Sequence, residues 1–138
     1  MKVTKRNCSL FISEDEGSAE LLVVLKGEID HHSAVATRGE IDRLIYENRP
    51  KRLELELSRI GFMDSSGLGL VMGRYALVRD LGGEMAVIDP SPAILRIFKL
   101  AGMERLIRIE WSRERESAET ENKERGIEED EKKERDPE

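Results

Sequence analysis

The chain has 138 residues, of which 38% are charged, and a formal net charge of −6 at pH 7. This length accommodates one domain with a single hydrophobic core and is too short for two ordinary domains. The charge is concentrated in residues 112–138, which include 7 basic and 12 acidic residues, whereas residues 1–111 include 16 and 17. Because this body is nearly neutral, it lacks the basic surface that contact with a nucleic-acid backbone requires. The composition therefore argues against direct nucleic-acid binding and favours proteins as partners.

The chain contains one cysteine, Cys8, so no internal disulfide can form. It has neither a cationic and then apolar leader nor an apolar run of the roughly 18 residues that cross a membrane. These features predict a cytoplasmic protein without a membrane segment. We interpret Cys8 as a strand residue and not as a reactive thiol, because no histidine partner or metal-ligand spacing accompanies it.

Five short segments rich in Leu, Ile and Val have the pattern of β-strands. In one of them, RLELEL, leucines alternate with charged residues, which is the period of a strand with one covered face. The first two segments are separated only by a polar turn and are expected to form an antiparallel pair at the edge of the sheet. The predicted strands span residues 7–13, 19–29, 52–57, 84–89 and 105–111.

Three segments between these strands have the period of α-helices. The first spans about 33–47 and can start on Ser33, the second spans about 65–80, and the third begins at Ser91 and stops near Gly102. The order β-β-α-β-α-β-α-β has long connections that suit parallel crossovers. It predicts an α/β fold with a mixed β-sheet covered by helices. The expected inward-facing residues are Ala34, Ile41, Leu44 and Ile45 on the first helix and Leu68, Val71, Met72, Tyr75 and Val78 on the second.

The C-terminal residues 112–138 form a separate charged tail after a domain of residues 1–111. Ala118 and Ile127 are its only clear apolar residues, so it cannot bury enough surface to offset the entropy of ordering it. We predict disorder or a solvated, frayed helix that makes the chain more soluble. Trp111, just before the tail, is expected to close the end of the core, with recognition of a partner at the surface as the alternative.

The stretch FMDSSGLGLVMGRY lies where a predicted strand meets the second predicted helix. Asp64 and Ser65 are both good caps for the first N–H groups of this helix. The helix then contains Gly67, Gly69 and Gly73, although a glycine inside a helix costs about 1 kcal/mol relative to alanine. Because the last two are four residues apart, they share a face that another backbone can approach closely. That backbone belongs either to the domain's own sheet or to a docking protein.

A serine at the N-terminal end of a helix is also suited to phosphorylation. The free N–H groups and the helix dipole stabilise the added charge, so the fold would tolerate a phosphate there. A binding surface beside it would not tolerate the charge if that surface were apolar or acidic. One covalent event could therefore abolish docking without unfolding the domain.

Catalysis and metal binding find little support in the sequence. Ser65 with His31 or His32 could be imagined as a hydrolase pair, but the G-x-S-x-G elbow is absent. The glycines of the second helix have the wrong spacing for a nucleotide-binding loop and fall inside the helical pattern. The adjacent histidines have no second cluster that could complete a metal site. We predict a protein that is not an enzyme and needs no cofactor.

The same residues resemble the motifs of the STAS family of anti-anti-sigma factors. The signature around the two serines and a second segment, GEIDHHSA, both match, and the match continues to the last predicted strand over roughly residues 7–111. In order, the matching segments are GEIDHHSA (27–34), FMDSSGLGLVMGRY (62–75), LGGEMAV (81–87), SPAILRIFKLAG (91–102) and LIRI (106–109). The wording of both motifs is closest to the sporulation members, whereas general stress-response members more often have threonine second in the serine pair.

The resemblance implies a protein switch. In this family the unphosphorylated form binds an anti-sigma factor that is also an ATP-dependent serine kinase, which releases a sigma factor, and a phosphatase reverses the phosphorylation. By this likeness Ser65 is the phosphoacceptor, with Ser66 as the alternative, and Asp64 supports the site. Asp30 belongs to the other motif and is expected beside the phosphoacceptor. The residues expected to contact the partner are Asp30, His31, Asp64, Ser66, Gly67 and Gly69. A stress-response antagonist acting on a different kinase remains the alternative.

Overall fold

The computed structural model of the chain describes residues 2–5, 8–11 and 20–112 and has the alternating order of an α/β protein. The strands are β1 (Lys2–Lys5), β2 (Cys8–Phe11), β3 (Glu20–Ile29), β4 (Arg52–Met63), β5 (Glu84–Ile88) and β6 (Arg108–Glu110). The helices are α1 (His31–Asn48), α2 (Ser65–Asp80) and α3 (Pro92–Ala101), and a short 3₁₀ helix follows at Met103–Arg105. The tail 112–138 lies outside the described residues apart from Ser112, so the prediction of its disorder stays a prediction.

The main sheet has the strand order β3-β4-β5-β6, and every neighbouring pair is parallel. Because the strands follow one another across the sheet in sequence order, crossovers of one hand place all three helices on the same face. A single buried cluster confirms this arrangement, since it joins the inward residues of β3, β4 and β5 to those of α1, α2 and α3. The other face of the sheet carries no helix within the described residues.

The predicted antiparallel pairing of β2 with β3 at the edge of the sheet is wrong. Strand β2 lies beside β3, but in the described residues it forms its hydrogen-bonded ladder with β1, and these two strands make a separate antiparallel sheet. Lys5 is opposite Cys8, so two residues of sequence connect the strands, whereas pairing β2 with β3 must bridge residues 12–19. The shorter loop costs less entropy to close. Cys8 itself lies in a strand, as predicted.

The alternation predicted for RLELEL holds in β4. Leu53, Leu55 and Leu57 are fully buried and face the helices, while Glu54 and Glu56 between them are half-buried on the helix-free face. The inward residues predicted on α1 are all buried, whereas three of the five predicted on α2 are only partly buried against the core. Strand β4 extends six residues beyond the predicted end, and β6 is shorter than predicted.

Trp111 does not close the helix-covered core. It is half-buried and lines a cavity on the helix-free face of the sheet together with Leu22 and Val24. On the same face Arg52 forms ion pairs with Glu54 at 2.9 Å and with Glu110 at 2.6 Å. This face is therefore lined by a mixture of apolar and paired charged side chains and not by a second core layer.

Local signals account for the ends of the helices. α2 has the predicted limits, and Gly82 follows it with φ 90°, a conformation that favours glycine. α3 begins after the cap Ser91, with proline at its first position, and ends at Gly102 with φ 74°. The start predicted for α1 is wrong by two residues, because Asp30 caps the helix and Ser33 lies inside its first turn.

Candidate functional site

The two sequence motifs meet at one edge of the sheet. β3 and β4 are parallel neighbours, and their last residues, Ile29 and Met63, are directly opposite each other. The backbone N–H of Asp64 donates a hydrogen bond of 3.2 Å to the carbonyl oxygen of Ile29, which ties the two strand ends together. The first turns of α1 and α2 therefore start side by side, with Asp30 at the start of one helix and the serine pair at the start of the other.

Asp30 is the N-cap of α1. Its carboxylate accepts hydrogen bonds of 3.0 Å from the backbone N–H groups of His32 and Ser33. The Ser33 hydroxyl accepts from the backbone N–H of Asp30 at 3.0 Å and donates to the carbonyl oxygen of Glu28 at 2.9 Å, which completes a capping box. The hydrogen bond from Ser33 is the main cause that lowers the pKa of Asp30 below its ordinary value, and the one from His32 adds to it.

Asp64 is the N-cap of α2, and Ser65 is the first residue of that helix. The Asp64 carboxylate accepts a hydrogen bond of 2.8 Å from the backbone N–H of Ser66. Ser65 is exposed, whereas Ser66 is half-buried. The two serines thus differ in access to a modifying enzyme, although both lie where the helix dipole favours negative charge.

The three glycines of α2 face different surroundings. Gly67 is buried, and a Cβ atom at this position would collide with the side chain of Met63. A Cβ on Gly69 or on Gly73 would meet nothing within 4 Å. The close approach to the domain's own structure is therefore made at Gly67, and the strip formed by Gly69 and Gly73 does not face the sheet.

Gly69 and Gly73 form part of a groove between α1 and α2, which we call the α1–α2 groove. Its cavity has a volume of about 390 Å³ and is lined by His31, Ala34, Val35 and Arg38 of α1 and by Ser66, Gly69, Leu70, Gly73 and Arg74 of α2. Three of the residues predicted to contact a partner, His31, Ser66 and Gly69, thus share one surface. Gly67 is buried below it, so we leave Gly67 out of the contact surface.

Arg74, in the wall of the groove, forms an ion pair with Asp42. Only 7% of Arg74 is exposed, and its Nε lies 2.8 Å from Oδ1 of Asp42. The two atoms lack the geometry of a hydrogen bond, so the pair is held by charge. Arg74 Nη1 also donates to the carbonyl oxygen of Leu70 at 3.4 Å. Burial lowers the pKa of Arg74, and the opposing charge of Asp42 resists this shift.

Four residues of the groove wall were not predicted from the sequence: Val35, Arg38, Leu70 and Arg74. Val35 leaves 58% of its surface exposed. His31, Val35 and Arg38 recur at spacings of four and three, so a search for a second face of α1 could have found them. At the same edge of the sheet, Phe62 is 49% exposed. Arg74 gave no signal, because an arginine in a helical pattern normally faces water.

No helix in the described part of the chain is both long and apolar enough to span a lipid bilayer.

Comparison with known proteins places these features in a family. The STAS domain model matches residues 12–117. The chain is 38% identical over 101 residues to an anti-sigma F factor antagonist of Paenibacillus polymyxa, covering 73% of this chain and 86% of the relative. It is 28% identical to an anti-sigma-B factor antagonist of Bacillus subtilis (strain 168), covering 75% of this chain and 91% of the relative.

Two solved structures of SpoIIAA have the same fold. The unphosphorylated form of this anti-sigma factor antagonist superposes with a TM-score of 0.63 at 27% identity, covering 86% of this chain and 97% of the other. The phosphorylated form, described as a Bacillus cell fate determinant, superposes with a TM-score of 0.59 at 26% identity, covering 80% and 97%. The motifs, their meeting at one sheet edge and these matches lead to one conclusion: the chain belongs to the STAS domain family.

Proposed function

We propose that this chain is an anti-sigma factor antagonist of the sporulation type, working in the cytoplasm and without catalytic activity of its own. Its unphosphorylated form binds an anti-sigma factor that is also a serine kinase, and this binding releases a sporulation sigma factor. Phosphorylation of Ser65 switches the binding off, and a phosphatase restores it. The observation that carries the proposal is the exposed Ser65 at the first position of α2, directly beside the capped start of α1.

Ser65 is the better phosphoacceptor of the two serines for a steric reason. A kinase must enclose the hydroxyl of its substrate, and Ser65 is exposed whereas Ser66 is half-buried in the wall of the groove. The Asp64 carboxylate is already bonded to the N–H of Ser66, which holds the first turn of α2 in place. A phosphate on Ser65 would lie at the positive end of the helix dipole, so the fold would tolerate it. The relative SpoIIAA supports this proposal, because it has been solved in a phosphorylated form.

The proposed contact surface is the edge that carries both caps together with the α1–α2 groove. Asp30 and Asp64 shape this surface, because their carboxylates are bonded within the two helix starts. His31, Ser66 and Gly69 line the groove and are available for direct contact. A phosphate at the rim of this surface would add about two negative charges that a docked partner must desolvate or oppose.

A stress-response antagonist is the alternative function. Relatives named as antagonists of anti-sigma-B factors match this chain at 28% identity and below, whereas two named as antagonists of anti-sigma F factors match at 38% and 32%. This difference favours the sporulation hypothesis. The two hypotheses differ in the kinase that the chain should bind, so measuring its binding to each type of anti-sigma factor distinguishes them.

The test is to incubate the full chain with the purified anti-sigma kinase of its host and ATP, and to locate the phosphate by mass spectrometry. We expect one phosphate on Ser65 in the wild type and none in Ser65→Ala, while Ser66→Ala is still modified. Ser65→Asp should bind the kinase at least about tenfold more weakly than Ser65→Ala. Modification of Ser66 alone would refute the assignment of Ser65, and equal affinities of the two Ser65 variants would refute the switch.

A further inference from the structure

The α1–α2 groove carries an unbalanced positive charge. Two arginines line it, and the buried one, Arg74, is paired with Asp42 at 2.8 Å. The other, Arg38, is exposed, and within the described residues no carboxylate forms an ion pair with it. Burial is the main cause that lowers the pKa of Arg74, and the positive charge of the nearby Arg38 lowers it further. One guanidinium is therefore neutralised by its neighbour, and one is available at the rim of the cavity.

The shape of the groove sets what can reach Arg38. The Gly69 and Gly73 strip has no side chains, and a Cβ on either would meet nothing within 4 Å, so another chain can come close to the backbone of α2. Val35 and Leu70 line the same cavity, and Val35 leaves 58% of its apolar side chain exposed, whereas Leu70 is buried in the wall. The groove thus offers an apolar trough with a cation at its rim. A segment that fills it needs apolar side chains and a negative charge placed beside them.

Resting on the proposed function, we propose that the anti-sigma partner docks an acidic and apolar segment in the α1–α2 groove and places a carboxylate on Arg38. Arg38 is then a specificity-determining residue of the interface. Guanidinium groups suit this role because they bind carboxylates through two parallel hydrogen bonds. An acidic partner segment also agrees with the direction of the switch. Ser66 lines the same cavity, and a phosphate on the adjacent Ser65 would repel a carboxylate docked there.

The experiment is isothermal titration of the full-length chain with the purified anti-sigma kinase, comparing the wild type with three variants. Arg38→Glu reverses the proposed contact, Arg38→Lys keeps its charge, and Arg96→Glu makes the same charge change on an exposed residue of α3. We expect Arg38→Glu to weaken binding about a hundredfold and Arg38→Lys about tenfold, because an ammonium group cannot form both parallel hydrogen bonds, whereas Arg96→Glu should change it less than about threefold. Raising the salt concentration should weaken binding by the wild type more than binding by Arg38→Glu, because the contact that the variant lacks is electrostatic. Circular dichroism checks that each variant is folded.

The outcomes separate this inference from the proposed function. If the wild type binds and Arg38→Glu binds as well as Arg96→Glu, the acidic segment is refuted while the antagonist function stands. Tighter binding of Arg38→Glu would mean that the partner presents a cation, which also refutes it. If the folded, unphosphorylated wild type does not bind the kinase at all, the proposed function fails and this inference fails with it.

Discussion

The side chain of Met63 fills the space directly beside Gly67, where a Cβ atom would collide with it. Two residues later, Gly69 faces open space in the α1–α2 groove. The two glycines lie within one turn of α2 but have opposite effects on packing. Gly67 lets the helix start close to the end of β4, and Gly69 keeps the groove free of side chains.

Alanine substitutions should separate these two roles. Gly67→Ala should lower the free energy of unfolding by about 1–3 kcal/mol, because the added methyl group overpacks against Met63. Gly69→Ala should raise it by about 0.5–1 kcal/mol, since alanine is the better helix former and the site is open. Urea denaturation followed by circular dichroism measures both changes. Similar losses in the two variants would contradict the different surroundings seen for the two glycines.

A larger side chain at Gly69 should affect binding without affecting folding. Gly69→Leu keeps good helix propensity but fills the groove, so we expect wild-type stability or better and at least about tenfold weaker binding to the anti-sigma kinase. The matched control is Gly39→Leu, because Gly39 is an exposed glycine of α1 with nothing within 4 Å of its Cβ position. Undiminished binding by Gly69→Leu would exclude the groove from the interface.

The capping carboxylate of Asp30 should make part of the stability dependent on pH. Hydrogen bonds from Ser33 and His32 lower its pKa from the ordinary value of 3.8 in the folded state. Its contribution is therefore complete above pH 3.8 and is lost as the pH falls through the lower, folded value. Asp30→Asn keeps an oxygen for the cap but has no charge to lose, so its unfolding free energy should fall less steeply below pH 4.

Urea titrations between pH 2.5 and 6 test this expectation. The control is Asp80→Asn, which removes a carboxylate from the exposed end of α2 and leaves both caps intact. Identical pH profiles for the wild type and Asp30→Asn would show that the cap does not contribute through its charge.

The ion pairs of Arg52 should stabilise the helix-free face of the sheet. Arg52 is 17% exposed and contacts Glu54, Glu84 and Glu110, so it joins three parallel strands. Burial by itself lowers the pKa of Arg52, but Glu54 and Glu110 outweigh this effect and raise the pKa. Arg52→Met would leave the acidic groups to repel one another, and we expect a loss of about 1–2 kcal/mol in the free energy of unfolding.

Thermal or urea unfolding at low and high salt measures this loss. It should shrink at high salt, because screening weakens the repulsion among the remaining carboxylates. Arg43→Met is the control, since Arg43 pairs with Glu40 and Glu47 on the exposed surface of α1 and should contribute far less. Equal losses in the two variants would show that the ion pairs between strands stabilise the fold no more than the exposed pairs on α1.

The sequence by itself predicted the features that depend on near neighbours. The limits of α2 and α3 follow from Asp64, Ser91 and Gly102, because a cap or a left-handed glycine acts within one helical turn. The alternation of Leu53, Leu55 and Leu57 predicted the covered face of β4 for the same reason, since the period of a strand is set by the backbone. The two motifs that match the STAS family were also readable without the structure.

Only the tertiary structure decided what depends on residues far apart in sequence. β2 pairs with β1 and not with β3, and this choice depends on which loop is easier to close. The hydrophobic period of a segment does not indicate its partner strand. From the sequence, the strip of Gly69 and Gly73 could face either the domain's own sheet or a docking protein. The structure shows that the strip lines the groove between α1 and α2. The pairing of Arg74 with Asp42 likewise needed the packing of two helices that are joined through a whole strand. The cavity and the charge that lines it arise only when α1 and α2 pack together, so they cannot be predicted from either helix alone.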